Sequence, residues 1–245
     1  MDQSIATLSP IGNGIDIYVS PHHTFGTDAM LLAHFVAAKA RDSMVDLGTG
    51  CGIIPFLMLR DGLLKKACGV DISEEAIALA SRTAYEQNFK NFTPVLSDLK
   101  ELKGKIDFGC HTLVTCNPPY KASDAGIRNP DSVLSVARHE VACTLEDIVS
   151  VGARLLQTGG RLCMCQRPER LSELMSLMCK YKVEPKRLRL VCKCEGTEPW
   201  LVLVEGKRSA HIGLRVEPTL YVEDENGNFS EEMIRIYGAY KEGHL

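Results

Sequence analysis

Val45-Asp46-Leu47-Gly48-Thr49-Gly50-Cys51-Gly52 is a short apolar run that breaks into three alternating glycines and resumes as Ile53-Ile54-Pro55-Phe56-Leu57. It reads as a buried strand, a tight turn and a helix over Ile53–Arg60. Glycine suits such a turn because it takes positive φ without strain and lets a ligand approach the backbone. The helix start offers unpaired N–H groups and the positive end of a dipole, which favour a negative group. The spacing is G-x-G-x-G, not the G-x-G-x-x-G of dinucleotide folds, so the turn alone identifies little.

Outward from this turn, strands and helices alternate. A short strand is expected over Gly14–Ser20 and a helix over Asp28–Lys39, with Thr27 as its N-cap. Met44–Leu47 and Ala67–Val70 read as strands, the second ending at Asp71; a helix from Ser73 to about Gln87 follows. Phe92–Leu96 and Thr112–Thr115 are further strands, ending before Asp98 and at Asn117. Lys121 to about Ala142 shows no clear periodicity and reads as a long loop, a candidate lid. Leu145–Leu156 reads as a helix ended by Gly159-Gly160, Arg161–Cys165 as a strand, and Pro168 as the start of a helix to about Cys179. Arg187–Cys192 and Trp200–Glu205 form a closing pair of strands, and a short helix lies near Glu231–Tyr237 after an Asn226-Gly227 turn. Such alternation builds a doubly wound, mostly parallel α/β sheet. At 245 residues the chain fits one domain.

Composition narrows the class. Apolar residues make up 45% of the chain, enough for a sizeable core, and charged residues 24%. There is neither an apolar stretch of the roughly 18 residues that would span a bilayer nor a basic-then-apolar start like that of a secretory signal, so a cytoplasmic protein with no membrane partner is expected. The ten cysteines are scattered, with Cys51, Cys68, Cys116, Cys163 and Cys165 in apolar runs, and they read as small buried side chains. The Cys-x-Cys pairs are too tight for a usual zinc site and His22-His23 reads as a surface pair, so no metal is expected. A net charge of −3 argues against a general nucleic-acid binder. From Arg154 to Lys193, however, ten Lys and Arg face three Glu, while Glu217 to Glu232 holds six acids and no base. That asymmetry suggests a basic face for phosphates.

Two acids and one tetrapeptide carry the chemistry. Asp71, about 20 residues past the glycines, can accept both hydroxyls of a ribose, or simply cap the next helix. Asp98, at the end of the following strand, can accept from an adenine amine, or again cap a helix. Asn117-Pro118-Pro119-Tyr120 closes the next strand on the same sheet edge. An exocyclic amine on a flat base delocalises its lone pair into the ring. Two acceptors on its hydrogens, the Asn117 side-chain oxygen and the Pro118 carbonyl, can rehybridise that nitrogen and aim its lone pair at an activated methyl group. The prolines hold the carbonyl rigidly, and Tyr120 offers a ring for the base to stack on. No general base is required, so His139-Glu140 reads as structural; Trp200 reads as core.

Together these motifs resemble the class I, Rossmann-like amino-methyltransferases, which implies a seven-stranded sheet and S-adenosylmethionine, released as S-adenosylhomocysteine. Phe25-Gly26-Thr27-Asp28-Ala29-Met30-Leu31-Leu32-Ala33, Ala137-Arg138-His139-Glu140-Val141 and Arg167-Pro168-Glu169-Arg170-Leu171 are similar to the bacterial family that methylates N6 of adenine 37 in a valine tRNA. The resemblance runs from about Ile11 to Tyr237. It implies that the cofactor lies among Thr27, Asp28, Asp46, Gly48, Thr49, Gly50, Gly52, Asp71, Ile72, Ser97, Asp98, Leu99 and Asn117, with Asn117, Pro118, Pro119 and Tyr120 at the reacting amine. The tRNA would meet Tyr120, Arg128, Arg138, Arg167, Lys186, Arg187 and Arg189. Residues 1–26 become an N-terminal strand extension, 27–120 a cofactor half and 121–245 a substrate half of a single domain, acting as a monomer or weak dimer. Two rivals remain: a glutamine N5-methyltransferase acting on a protein, disfavoured because no N-terminal helical recognition domain precedes Phe25, and a methyltransferase-fold RNA-binding module without catalysis.

Overall fold

A computed structural model of the chain describes residues 6–118 and 143–238. The first elements are a hairpin of β1 (Thr7–Gly12) and β2 (Ile15–Val19), paired antiparallel with an irregularity between Pro10 and Gly12. Only β2 was legible beforehand, because Pro10 and flanking glycines disguise β1. A proline is tolerated there because the two-stranded sheet has free edges. The hairpin is pinned to the body by Tyr18, whose N–H donates to Thr83 Oγ1 at 2.9 Å.

The main sheet follows from strands that are buried on both faces. β3 (Ser43–Leu47) has every residue after Ser43 buried, as expected of a central parallel strand. It lies between β4 (Lys66–Asp71) and β6 (His111–Cys116), parallel to both, and β5 (Phe92–Leu96) extends the β4 side. β7 (Leu156–Gln166) continues parallel beyond β6, then β9 (Pro199–Arg208) and β8 (Val183–Cys192) close the sheet antiparallel. The order is therefore β8-β9-β7-β6-β3-β4-β5, seven strands, as the resemblance implied. Two strands of two residues each, β10 (Arg215–Val216) and β11 (Leu220–Tyr221), add parallel pairs to β8; neither is long enough to carry a sequence pattern.

Helices cover both faces. One core packs α1 (Thr27–Phe35), α2 (Ile53–Arg60) and the final helix α6 (Glu231–Tyr237) on one side. The other packs α4 (Leu145–Leu155) and α5 (Leu171–Lys180) on the opposite side; α3 (Glu74–Glu86) flanks β4 and β5. In α2 every residue from Ile53 to Leu59 is buried, so the helix needs no polar face. Phe56 sits at its centre, its ring 5.2 Å from Phe89 and 4.6 Å from Phe92; burying such a ring contributes about 2–3 kcal/mol. At α4, Thr144 and Asp147 form a reciprocal capping box.

Three boundaries differ from the sequence expectation. The N-cap of α1 is Gly26, not Thr27, which is the first helical residue. That helix stops at Phe35 rather than Lys39, because Arg161 and Arg187 donate to the Val36 and Phe35 carbonyls and Ala37 turns to φ +46. Gly159-Gly160 does not end a helix but lies inside β7, which starts directly after α4. A side chain at Gly160 would come within 2.9 Å of the His111 carbonyl, so these glycines serve the irregular start of the β6–β7 pairing.

Candidate functional site

The sheet topology fixes where a ligand can sit. From β3 the chain winds outward through β4 and β5, then returns to the other side of β3 as β6. The strand order reverses there, and a crevice opens at the carboxyl ends of β3 and β6. In register, Leu47 of β3 pairs with Cys116 of β6. Gly48 and Asn117 are each the next residue, so the glycine turn and Asn117 leave the sheet at the same edge.

The glycine turn is built as its sequence demands. Gly48, Gly50 and Gly52 take φ of +70, +55 and +85. Open space lies where a Cβ on Gly48 or Gly50 would point, which makes a cradle for a ligand. At Gly52 a Cβ would fall 2.4 Å from the Phe56 ring, so that glycine serves packing. The N–H groups of Gly48 and Thr49 both donate to Val70 O at 2.9 Å, locking the turn to β4.

Asp71 ties the crevice together. Its Oδ2 accepts from Gly50 N at 2.9 Å and its Oδ1 from Ser73 N at 2.9 Å, while Ser73 caps α3. The carboxylate thus holds the turn and opens the helix, and each oxygen keeps the geometry of a second acceptor direction. Ile72 beside it is about half exposed. Across β5, Ser97 is buried and its N–H donates to Asp71 O at 2.9 Å. Asp98 caps a 3-10 turn over Leu99–Glu101, its Oδ1 accepting from Lys100 N at 2.8 Å. The capping alternative is therefore realised at Asp98, whereas α3 is capped by Ser73 and Asp71 braces the Ser73 N–H.

Asp46 is fully buried beneath the turn. Thr115 donates to its Oδ1 at 2.5 Å, whereas its Oδ2 and the Thr49 hydroxyl are buried outside hydrogen-bond geometry with any neighbour. Burial pushes the Asp46 carboxyl up to about 7, opposed by the Thr115 and Thr49 hydroxyls and reinforced by the nearby Asp71 charge. Asp46 and Thr49 thus form a buried polar pair directly under the glycine cradle.

Asn117 projects at the opposite lip. Its Nδ2 donates to Asp28 Oδ2 at 3.2 Å, and its Oδ1 accepts from Cys165 Sγ at 3.0 Å. Asp28 comes from the first turn of α1 and Cys165 from β7, so three elements meet at one carboxamide. Thr27 Oγ1, next in line, accepts from Tyr237 Oη of α6 at 3.0 Å. Neither the Asp28–Asn117 pairing nor the contribution of Cys165 was legible in sequence, because the partners are 89 and 48 residues from Asn117. Pro118 is buried beside it. Pro119, Tyr120, Arg128, Arg138, His139, Glu140 and the whole candidate lid lie outside the described residues.

The basic block behaves differently from its expected role. Arg187 donates to Glu205 at 3.1 Å and Glu217 at 3.2 Å. Arg189 grips Glu232 with two bonds of 2.7 Å. Arg161 pairs with Asp42 at 2.8 Å and Glu205 at 3.2 Å, and Lys193 with Glu223 at 3.6 Å. The acidic stretch from Glu217 to Glu232 thus folds onto the basic one and pairs with Arg187, Arg189 and Lys193. Arg187 and Arg189 are each paired with carboxylates of the same chain. Lys186 donates to the His211 carbonyl at 3.1 Å. Arg167 differs, because it follows β7 on the same sheet edge as Asn117; it donates to Trp200 O at 2.9 Å and lies 5.7 Å over that ring.

His23 contacts Ser73 Oγ at 2.9 Å and Glu75 at 3.9 Å. Among the described residues no group of three or more His, Cys, Asp or Glu is placed to hold a metal ion, and no helix is long and apolar enough to cross a membrane. No disulfide joins the ten cysteines, all of which lie among the described residues; Cys51, Cys116, Cys163, Cys165 and Cys192 are buried.

Residues 38–208 match the family model described as a methyltransferase domain. The chain belongs to this methyltransferase family. It is 28% identical over 224 residues to the tRNA1(Val) (adenine(37)-N6)-methyltransferase of Porphyromonas gingivalis, a match covering 86% of each chain. A release factor glutamine methyltransferase of Buchnera aphidicola is 37% identical over 97 residues, but that match covers only 38% of this chain and 33% of the relative. Among solved structures, a predicted O-methyltransferase from Agrobacterium tumefaciens superposes with a TM-score of 0.70 at 18% identity, covering 87% of this chain and 97% of that one. The methyltransferase fold and the doubly wound sheet are thereby established together.

Proposed function

We propose that the protein transfers a methyl group from S-adenosylmethionine to the exocyclic N6 amine of an adenine in tRNA, at position 37 of a valine tRNA. The observation that carries this reading is the register of β3 and β6, which sets the ligand cradle at Gly48–Gly52 and the Asn117 carboxamide side by side. The match to the Porphyromonas gingivalis enzyme across most of both chains supports the substrate; the likeness to a glutamine methyltransferase is confined to part of each chain.

The residues of the crevice fit the cofactor. The open cradle over Gly48 and Gly50 suits its methionine part, with Thr27, Asp28, Asp46 and Thr49 around it; Asp71 suits the ribose hydroxyls; Ile72, Ser97, Asp98 and Leu99 suit the adenine. When bound, that cofactor supplies a methyl group already activated on a sulfonium. The chain's own residues then have to orient an amine. The Asn117 oxygen and the Pro118 carbonyl accept from its two hydrogens, so the nitrogen rehybridises and its lone pair, otherwise delocalised into the ring, localises toward the methyl group. The cationic product loses its proton readily, and no basic side chain is needed. Tyr120 stacks on the base, which must first leave its own stack in the RNA. Arg167, on the same edge, is the proposed phosphate contact, with Arg128 and Arg138 beyond the described residues. The enzyme is proposed to act in the cytoplasm as a single-domain monomer or weak dimer.

The test is to supply S-adenosylmethionine labelled in its methyl group together with total RNA, and separately with ribosomal and release-factor proteins. Label in RNA is expected. Label confined to protein would replace adenine by a glutamine amide.

A further inference from the structure

A carboxamide has two nearly isosteric ends, and Asn117 is useful only one way round. With its oxygen toward the target amine it accepts a hydrogen; with its NH2 there it opposes two donors. The structure shows what selects between them. Asp28 Oδ2 lies 3.2 Å from Asn117 Nδ2. A carboxylate only accepts, so the amide must turn its NH2 to α1. Cys165, a thiol donor, lies 3.0 Å from the other end and requires the oxygen there.

Asp28 is itself held. Its Oδ1 accepts from Ala29 N at 2.9 Å in the first turn of α1. Gly26 has no Cβ, and one would stand 2.9 Å from that oxygen. The adjoining Thr27 is anchored to Tyr237 of the last helix. We propose that Asp28 is a positioning residue that sets the orientation of the Asn117 carboxamide, with Cys165 as the second anchor. The inference rests on the amine-clamp reading of Asn117 given above.

The arrangement makes an unusual demand on substitutions. In Asp28→Asn, the Ala29 N–H retains the oxygen of the new side chain, so its NH2 faces Asn117. Asn117 is then driven to present its own oxygen to α1 and its NH2 to the substrate. In Asp28→Ala that drive is missing, and Cys165 still holds the oxygen end correctly. The isosteric variant is thus the more damaging one. A role in packing, or in holding the cofactor by shape and hydrogen bonds, gives the opposite order.

The experiment measures kcat at saturating S-adenosylmethionine and tRNA for the wild type, Asp28→Ala, Asp28→Asn and Asn117→Ala. Calorimetric affinity for S-adenosylmethionine and the side-chain amide NMR signals of Asn117, assigned by their loss in Asn117→Ala, accompany it. One hydrogen bond reversed is worth a factor of about 10, so kcat is expected to fall about 10-fold or more in Asp28→Asn and about 2–5-fold in Asp28→Ala. The Asn117 amide signals should move most in Asp28→Asn, and the order of the two variants in kcat should hold at saturating cofactor whatever their affinity for it. Equal or greater activity in Asp28→Asn than in Asp28→Ala overturns the positioning role, as does a loss restored by excess cofactor. Full activity in Asn117→Ala instead overturns the amine clamp on which the inference rests.

Discussion

Two halves of the same sheet use polar residues in opposite ways. At the β3–β6 edge, Asp71 and Asn117 are held by hydrogen bonds at the crevice, with Asp46 buried beneath the turn. At the β8–β9 end, Arg161, Arg187 and Arg189 are absorbed by Asp42, Glu205, Glu217 and Glu232. The first half keeps its chemistry available; the second converts charge into architecture, even ending α1 by binding its last carbonyls. A count of charges along the sequence treats both alike. Only the fold separates charge offered to a partner from charge already answered.

The difference can be pressed hardest at Glu205, which two arginines share. Glu205→Ala leaves Arg161 with Asp42 and Arg187 with Glu217 as their remaining carboxylates and should cost about 3 kcal/mol, read by urea unfolding. A cost under about 1 kcal/mol would make that cluster mere surface decoration. Next, Gly52→Ala should destabilise by about 1–3 kcal/mol, through strain at φ +85 and collision with Phe56; the same measurement checks it.

Asp46 sharpens the comparison through pH. Its folded carboxyl lies near 7, above an unfolded value of about 4. The folded state holds the extra proton, so the associated stability is fully present below pH ~4 and is lost as pH rises through ~7. Asp46→Asn should therefore flatten the decline in stability between those limits. An unchanged pH profile would show that Asp46 is not the group responsible. Smallest is the effect on RNA binding. Arg167→Gln should lower the slope of log affinity against log salt by about 0.9, the share of one phosphate contact, whereas Arg189→Gln should change it by less than about 0.3. Equal changes would erase the distinction between the two regions.

Much of the β3–β6 half was legible because its signals are local. A glycine turn, strand-end acids and a strand closed by Asn117-Pro118 depend on neighbours in the chain, and the winding rules of parallel sheets then bring them to one edge. What escaped depended on distant partners. The Asp28–Asn117–Cys165 contacts span three elements, and Arg189 meets Glu232 across 43 residues. The same reason explains the end of α1, where periodicity continues toward Lys39 but two arginines from β7 and β8 stop the helix. β1, interrupted by Pro10, and the two-residue strands β10 and β11 were invisible because pairing, not pattern, defines them.

The account stands on the adjacency of the Gly48–Gly52 cradle and the Asn117 carboxamide. Mass spectrometry of nucleosides from tRNA incubated with S-adenosylmethionine and either the wild type or Asn117→Ala tests it most directly. The expected result is N6-methyladenosine from the wild type and at least a 100-fold loss in the variant, with its cofactor affinity retained. A methyl group on any other atom, or undiminished N6-methyladenosine from Asn117→Ala, would contradict it.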